Sequence, residues 1–428
     1  MISLAILALL FLLLLLGVPV GFSMAVSGAV GLFIIGDLDV LMGVLQTSPL
    51  SSVSGYELVT IPMFLLMAEF VTTSGIADDL FKAAAAWIGH VRGGLGMATA
   101  ITGAGFGAMC GTSTASAAAL SSTSLPAMLK QGYDPKVASG VVAISGTLAM
   151  LIPPAVALVI FGLLAEVNIG KLLVGGLIPA FLVMLTIMLT VYVIAVRDPK
   201  AAPAGTTVSL RERMRALIVV WPMLLLMLIV TGAIYTGIAT PTEASAIGAF
   251  GALIISIWKK GLNLSLIRQA TIRASISACM IGTIILGAQI FGYFFALTHV
   301  TQDLVHWVGG LHTSRWVIVI AILLIYIMLG AFMDQIAILV LTVPVVIPVI
   351  VSLGFSPIWF GVVKIVTAEV GMITPPVGLN CFIVARYARR PVSEVFQGIW
   401  PHFFAHIVII GIFVAFPQII LWLPSLMK

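Results

Sequence analysis

The 428-residue chain is 61% hydrophobic and only 8% charged, which leaves too few polar residues to cover a soluble protein of this size. Its formal net charge of +5 comes from basic residues in short connections between apolar runs, a distribution that excludes a nucleic-acid-binding surface. We therefore expect an integral membrane protein.

Long uncharged runs define the predicted elements. Runs without Asp, Glu, Lys, Arg or His reach or exceed the ~20 residues that a helix needs to cross a bilayer. A transmembrane barrel would show short strands of alternating polarity instead, so we expect membrane helices. The runs cover residues 93–129, 137–165, 172–196, 216–242 and 335–363.

The N-terminal segment, residues 1–22, is apolar but has no basic n-region and no small-residue cleavage site. We expect a membrane helix here rather than a signal peptide. Further along, residues 197–215 contain five basic residues, and residues 259–273 form the next basic connection. Basic loops face the cytoplasm, which places the turn YTGIATPTEASAIG between them on the periplasmic side.

The chain contains an internal repeat at a constant offset. Pro126 and Pro348 lie 222 positions apart, and the same ungapped offset relates many other pairs. They include Pro135 with Pro357, Pro154 with Pro376, Pro179 with Pro401, Gly132 with Gly354, Met150 with Met372, Gly176 with Gly398 and Phe181 with Phe403. We therefore expect two copies of one unit, joined by the basic loop and the helices after it.

Each copy has the same three predicted parts. An apolar segment of about 36 residues is too long for one crossing of ~30 Å and has glycine and polar residues at its middle, so we expect a re-entrant helical hairpin. In the turn that follows, GYDP or GFSP, Asp134 or Ser356 would cap a helix, and Pro135 or Pro357 would take its first position. The third part is a helix interrupted by two adjacent prolines.

Segments that are broken at matching positions of two repeats indicate a transporter's binding site. We count about five crossings and one hairpin per repeat, and an odd number of crossings would give the copies opposite orientations. The predicted fold is therefore an all-α polytopic membrane protein with two inverted-topology repeats, each with a re-entrant hairpin and a proline-broken helix.

The double prolines predict unpaired backbone carbonyls. A proline in a helix leaves the carbonyl four residues earlier without a donor, and it pushes the preceding residue out of the α region. Such carbonyls persist inside a membrane only where they line a cavity or meet a ligand, and a small hard cation would satisfy them. The carbonyls concerned are those of Ala149, Met150 and Ile152 in the first copy and of Gly371, Met372 and Thr374 in the second.

The predicted hairpin tips add polar groups to this site. Each tip begins a half-helix whose N-terminal dipole favours an anion. The alternative is that the prolines only kink packed helices and that the hydroxyls bond to the preceding turn. The tip residues are Thr112, Ser113, Thr114 and Ser116 in the first copy and Gly330, Asp334 and Gln335 in the second.

Several motifs along nearly the whole chain together resemble one family, the large membrane subunit of tripartite ATP-independent periplasmic (TRAP) transporters of the C4-dicarboxylate and sialic acid type. They are GVPVGFSM, IPMFLLMAEF, SGIADDLF, HVRGGLGMA, GYDPKVASG, LIPPAVALVIFG, IGKLLVGGLIP, GIATPTEASAIGA and ITPPVGLNCFI.

The resemblance implies sodium-coupled uptake of an organic acid anion across the bacterial inner membrane. It implies a soluble periplasmic binding protein that delivers the anion and a small four-helix membrane subunit on a separate chain. It also implies a transport domain of two hairpins and two broken helices that moves against a scaffold, an elevator-type architecture. No enzymatic activity is expected.

The resemblance also implies two Na+ sites. The first falls on Ser113, Ser116 and the backbone of Ala149, Ile152 and Pro154, and the second on Gly330, Gly371, Thr374 and Val377. The proline argument independently names four of these residues. Ala149 departs from the family's usual glycine, a change that a carbonyl ligand tolerates.

Other polar residues have structural or substrate interpretations. We assign substrate contacts to Thr112, Asp334 and Asn380. Glu243 fits helix capping with Thr240, whereas Glu69 and Glu369 fit structural pairing with nearby Lys or Arg.

Four segments are predicted: scaffold and arm helices at 1–93, the first transport repeat at 94–196, the cytoplasmic loop and second scaffold at 197–315, and the second transport repeat at 316–428.

An intramembrane enzyme would need a mid-membrane nucleophile, metal cluster or carboxylate dyad, and the six histidines fall mainly at predicted span ends. A channel would not need two occluding hairpins. Within transporters, the alternative is a Na+/dicarboxylate or ion transporter of related fold that works without a binding protein.

Overall fold

The computed structural model describes residues 2–205, 207–261 and 263–427, apart from the side chains at positions 52 and 53. Within this part of the chain the regular structure is helical, and nine helices are long and apolar enough to cross a membrane. The predicted all-α polytopic fold is confirmed.

The N-terminal helices belong to the region predicted as scaffold and arm. Helix α2 is kinked at Gly36 and Asp37, which have non-helical backbone angles, and before the kink it packs closely on α12. An added Cβ on Gly28 would lie 2.8 Å from the backbone of Phe291 on α12, so the contact needs a glycine. The first helices are α1 (Ile2–Leu15), α2 (Val20–Val53), α3 (Thr60–Ser74) and α4 (Ile76–Ile88), and a 3₁₀ turn, Tyr56–Val59, precedes α3; α12 is Leu264–Leu297.

The first repeat contains the predicted hairpin and broken helix. Only Gly111 and Thr112 separate the two hairpin helices, and Gly111 adopts a positive φ of 64° that suits glycine. The Asp134 side chain accepts a hydrogen bond from the Lys136 N–H at 2.8 Å, as predicted for a cap followed by proline. The helices are α5 (Gly94–Cys110), α6 (Ser113–Lys130), α7 (Pro135–Thr147), α8 (Val156–Leu164) and α9 (Ile169–Arg197), with a 3₁₀ turn, Leu148–Met150, after α7.

The central helices connect the repeats. A capping box at the start of α11 pairs Thr240 with Glu243, so the capping assignment of Glu243 is confirmed. The Thr60 and Thr242 hydroxyls hydrogen-bond at 2.8 Å and align α3 with α11. These helices are α10 (Leu210–Thr236), α11 (Pro241–Lys260), α12 as given above and α13 (Val300–Gly309).

The second repeat has the same order of parts. Pro357 takes the first helical position of α16 as predicted, but Ser356 makes no side-chain capping bond, so that part of the prediction is wrong. The helices are α14 (Arg315–Phe332), α15 (Gln335–Ser352), α16 (Pro357–Gly371), α17 (Leu379–Ala388), α18 (Val392–Ala415) and α19 (Gln418–Ser425).

The two repeats run in opposite directions. Residues of the 197–215 loop contact the base of the first hairpin, where the Asp134 N–H donates to the Ala201 carbonyl at 3.0 Å. Helix α9 therefore ends on this side. Its counterpart α18 begins there, because an added Cβ on Gly140, near the start of α7, would lie 3.0 Å from the Cα of Gly398. The far end of α18 meets the start of α16, where Trp359 Nε1 donates to the Phe413 carbonyl at 2.9 Å.

The contact between the basic loop and the first hairpin supports a topology test. We expect Thr207→Cys, at an exposed loop position, to react with an impermeant thiol reagent in inside-out vesicles and to stay unlabelled in spheroplasts, because basic loops remain in the cytoplasm. Neighbouring Thr206 lies outside the described residues. Exposed Cys279 is replaced by serine beforehand. Strong labelling in intact spheroplasts would reverse the topology.

Candidate functional site

The break between α7 and α8 leaves the three predicted carbonyls, those of Ala149, Met150 and Ile152, without a described hydrogen bond. Residues 151–155 are not helical, and the Leu151 and Ile152 N–H groups both donate to the Leu148 carbonyl at 3.2 Å. The two prolines that follow have no N–H to offer. Among the described residues, no backbone hydrogen bond across this break ends on the Ala149 carbonyl, as the sequence predicts.

The first hairpin lies directly against this break. An added Cβ on Gly107 of α5 would lie 2.6 Å from the Cα of Ala149. At the hairpin tip, an added Cβ on Gly111 would lie 3.1 Å from the Pro154 carbonyl oxygen. Side chains at these glycines would separate the tip from the break, so the glycines allow the backbone of both to meet.

Two serines predicted as sodium ligands begin α6 just beyond the tip. Ser113 and Ser116 are fully buried. The Ser116 hydroxyl has no hydrogen-bond partner among the described residues, and a buried hydroxyl without a partner is costly. Helix α6 contacts the 3₁₀ turn that contains Ala149. A hydroxyl without a partner on α6 and an unpaired carbonyl in this turn are oxygen ligands of the kind that a small cation takes.

The second break differs from the sequence prediction. The Thr374 N–H donates to the Gly371 carbonyl at 2.9 Å, and the Asn380 N–H donates to the Met372 carbonyl at 3.2 Å. The prediction that these two carbonyls are unpaired is therefore wrong. The rule assumes that the helix continues through the prolines, whereas the chain forms a turn at residues 372–374 that brings other N–H groups to the same oxygens. No described hydrogen bond ends on the Thr374 carbonyl.

The second hairpin packs against the second break through Gly330 and Gly371, two glycines that were predicted to share a sodium site. An added Cβ on Gly330 would lie 2.9 Å from the Cα of Gly371. The Gly378 N–H donates to the Ala331 carbonyl at 3.2 Å and ties the break to the hairpin backbone. Val377, also predicted for this site, lies in the same break and is 37% exposed.

The two halves of the site meet. The Ser113 hydroxyl of the first hairpin approaches the Met372 sulfur of the second break at 3.9 Å. Gln335 lies at the second hairpin tip, and Asn380 follows the second break. Both are fully buried, and the oxygen and nitrogen of each side-chain amide have no partner among the described residues. Such amides need a water or a ligand, which suits the substrate contact predicted for Asn380.

The other two predicted substrate residues cap or border the hairpin tips. Asp334 is the N-cap of α15, where its carboxylate accepts the Ile336 N–H at 3.0 Å. Thr112 precedes α6 with extended backbone angles, and its hydroxyl lies 3.6 Å from the Cys110 sulfur. Asp334 therefore has a structural role that the sequence analysis did not include.

A buried lysine is the functional candidate that the sequence analysis missed. Lys364 on α16 is fully buried, and its ammonium lies 4.9 Å from the centre of the Tyr326 ring. Glu369 and Asp334 are the carboxylates that act on it electrostatically, but no ion pair within 4.0 Å joins these side chains among the described residues. The signal was present, because Lys364 is the residue that ends the uncharged run 335–363.

The predicted pairing of two glutamates is not found at contact distance. Within the described residues, neither Glu69 nor Glu369 forms an ion pair, although Arg273 acts electrostatically on Glu69 and Lys364 on Glu369. His402 and His406 are buried in the middle of α18 rather than at a span end. The described residues contain no group of three or more His, Cys, Asp or Glu that could hold a metal ion.

Residues 7–419 match the model of the family described as tripartite ATP-independent periplasmic transporter, DctM component. The chain belongs to the DctM family. The double prolines, both hairpins, Gly330 and Gly371 thus lie within the residues that match this family, and the resemblance inferred from the motifs is confirmed.

Curated relatives agree with this assignment. A C4-dicarboxylate TRAP transporter large permease protein of Pseudomonas aeruginosa is 33% identical over 371 residues, which are 86% of each chain. A second one, of Rhodobacter capsulatus, is 30% identical over 440 residues, 99% of each chain. A sialic acid TRAP transporter large permease protein of Vibrio cholerae is 28% identical over 96% of this DctM-family chain and 95% of its own.

A solved structure supports the fold at lower sequence identity. The YdaH transporter of Alcanivorax borkumensis, described as having an unusual topology, superposes with a TM-score of 0.65. It covers 90% of both chains at 16% identity. At this identity the likeness concerns the DctM-family fold alone.

Proposed function

We propose that the chain is the large permease subunit of a system that takes up an organic acid anion by sodium symport across the bacterial inner membrane. The observation that carries this proposal is the joint site of two hairpin tips and two broken helices. The Ala149 carbonyl at the first break accepts no described backbone bond, and the Ser116 hydroxyl, on a helix that contacts this break, has no described partner. Oxygen ligands of this kind suit a hard cation. The helix N-termini at the tips suit an anion.

The proposed cation sites retain the predicted residues. Ser113, Ser116 and the carbonyls at the first break would hold one Na+. The second would be held by backbone oxygens of Gly330, Gly371, Thr374 and Val377, of which the Thr374 carbonyl accepts no described bond. The anion would lie between the tips, within reach of Thr112, Asp334 and Asn380.

The transport step follows from the architecture. Each hairpin contacts the break of its own repeat through glycines, and the second hairpin does so through a backbone hydrogen bond as well. The Ser113 hydroxyl of the first hairpin approaches the Met372 sulfur at the second break, which supports movement of these elements as one rigid transport domain. The scaffold would consist of the helices before and between the repeats. Movement of the domain against that scaffold would expose the site first to one side and then to the other, an elevator mechanism.

The proposed partners are a small membrane subunit and a soluble periplasmic binding protein. A relative of Oleidesulfovibrio alaskensis is named isethionate TRAP transporter permease protein DctMQ, and this chain matches only 60% of its length. That extra length supports a second membrane part that would be a separate chain here. C4-dicarboxylates and sialic acid, which the relatives' names mention, are the first anions to test.

Uptake by reconstituted protein tests the proposal. We expect proteoliposomes containing the permease and its small subunit to accumulate a labelled C4-dicarboxylate or sialic acid only with an inward sodium gradient and the matching binding protein. Potassium replaces sodium in the control. Full uptake without the binding protein would favour the binding-protein-independent transporter, and uptake that ignores sodium would contradict the symport.

A further inference from the structure

A polar cavity lies between the first hairpin and the second broken helix. Its volume is about 720 Å³, within the range of small-molecule sites. Residues of α6, just beyond the hairpin tip, line one side, and residues of α17 line the other. They include Thr114, Ala115, Ile383, Arg386, Tyr387 and Arg389.

The cavity shares a helix face with the candidate substrate site. Asn380, Ile383 and Tyr387 follow the three- and four-residue spacing of one α17 face. Asn380 lies in the first turn of α17, is fully buried and has no partner for its amide oxygen or nitrogen among the described residues. One face of α17 thus connects a buried, unpartnered amide near the double proline with the cavity at the other end of the helix.

The cavity lies toward the side of the basic loop. Helix α17 ends at Ala388, and α18 begins a few residues later on the side where the 197–215 loop contacts the first hairpin. The positive-inside rule assigns this side to the cytoplasm. Substrate that leaves the site along α17 would therefore leave toward the cytoplasm.

The charge of the cavity is positive. Arg386 and Arg389 are exposed, and neither forms an ion pair within the described part of the chain. The neighbouring Arg390 is different, because it pairs with Glu394 at 3.3 Å and does not line the cavity. Arginines at the end of a helix also stabilise the helix dipole. That role does not explain why these two arginines line a cavity that has no acidic side chain in its lining.

We propose that this cavity is a cytoplasmic exit subsite in which Arg386, assisted by Arg389, binds a carboxylate of the substrate before release. The inference rests on the proposed uptake of an organic anion. The planar guanidinium offers paired donors that match a carboxylate. Such a subsite would hold one end of the anion near Arg386 while the other end leaves Asn380. The same chemistry would also attract an anionic lipid headgroup.

The test measures which charged reagent reaches the cavity. Ala115→Cys places a thiol at an exposed lining position, in a Cys279→Ser background whose other cysteines, Cys110 and Cys381, are buried. The whole complex is reconstituted in neutral-lipid vesicles and treated from the cytoplasmic side with sulfonate- and ammonium-bearing methanethiosulfonates. For each reagent, the rate at Ala115→Cys is divided by its rate with a free thiol in solution. We expect this ratio to be about tenfold higher for the sulfonate reagent than for the ammonium reagent.

Matched variants assign the preference to the cavity. Arg386→Gln should reduce it at least threefold, whereas Arg390→Gln, the same charge change one turn away, should leave it unchanged. Millimolar succinate should slow the reaction in the parent and not in Arg386→Gln.

An unchanged preference in Arg386→Gln, or no labelling at all, would overturn the proposal. Protection by phosphatidylglycerol without protection by succinate would assign the cavity to lipid and also overturn it. Labelling does not depend on sodium-driven uptake, so failure of the proposed function would be detected separately.

Discussion

Pro153→Ala is expected to weaken sodium dependence strongly. The new N–H at position 153 can donate to the Ala149 carbonyl, the oxygen that accepts no described backbone bond in the present structure. Rewinding the helix would remove a proposed ligand of the first cation. Loss of one buried polar interaction costs about 1–3 kcal/mol, which corresponds to an increase of roughly 5- to 150-fold in the sodium concentration for half-maximal uptake.

The measurement is uptake against sodium concentration in proteoliposomes, normalised to inserted protein. Pro179→Ala is the matched control, because Pro179 is also buried inside a helix of the same repeat but belongs to α9 and not to the break. Ser113→Ala should raise the half-saturation in the same direction as Pro153→Ala, since both act on the first site. A Pro153→Ala protein that inserts normally and keeps the parent half-saturation and Hill slope would refute the cation-site interpretation.

Substitution at the second double proline should affect sodium dependence less than substitution at the first. The Gly371 carbonyl already accepts the Thr374 N–H at 2.9 Å, so Pro375→Ala would give it a second donor instead of a first one. We expect its effect on sodium half-saturation to be smaller than that of Pro153→Ala.

The sequence predicts the general fold because its signals are local or repeated. The 222-residue offset locates equivalent hairpins and breaks without any knowledge of packing. Charge-free runs predict spans, and proline chemistry predicts where a helix must stop. Both hairpins, both breaks and the inverted repeats are found in the structure for this reason.

The sequence does not predict details that depend on how separate segments approach each other. The bond from the Asn380 N–H to the Met372 carbonyl requires the chain to turn back after the prolines, and a rule based on helix registry cannot anticipate it. The close approach of Gly330 to Gly371 joins residues far apart in the chain. Ser356 occupies a capping position in sequence, but its side chain makes no capping bond.

Lys364 shows a different limit. A lysine at the end of an apolar run is ordinarily a residue at the membrane surface, whereas the helix predicted to begin at Pro357 has Lys364 in its interior. Helix α16 begins seven residues earlier, at Pro357, and Lys364 therefore falls at its middle. Only packing of the neighbouring helices makes this ammonium fully buried.

Lys364→Met is expected to destabilise the transport domain. The ammonium acts electrostatically on the buried carboxylates of Glu369 and Asp334, and it lies over the Tyr326 ring. Removing one member of a buried charge group leaves the others uncompensated, at a cost of about 3–5 kcal/mol. Thermal unfolding of the detergent-purified complex should show a clear loss of Tm, whereas Lys130→Met, at an exposed position on α6, should show none.

The double variant Lys364→Met with Glu369→Gln decides whether charge compensation is the cause. Replacing both partners removes the need for compensation, and such replacements are often neutral or stabilising. We therefore expect the double variant to regain most of the Tm lost in Lys364→Met, so that it is destabilised by less than the sum of the effects of Lys364→Met and Glu369→Gln measured singly. If Lys364 only fills space, methionine would fill it equally well, and the single variant would unfold at the parent temperature. If the lysine has some other polar role, the double variant would be no more stable than Lys364→Met, and either result would reject Lys364 as the internal counter-charge of Glu369.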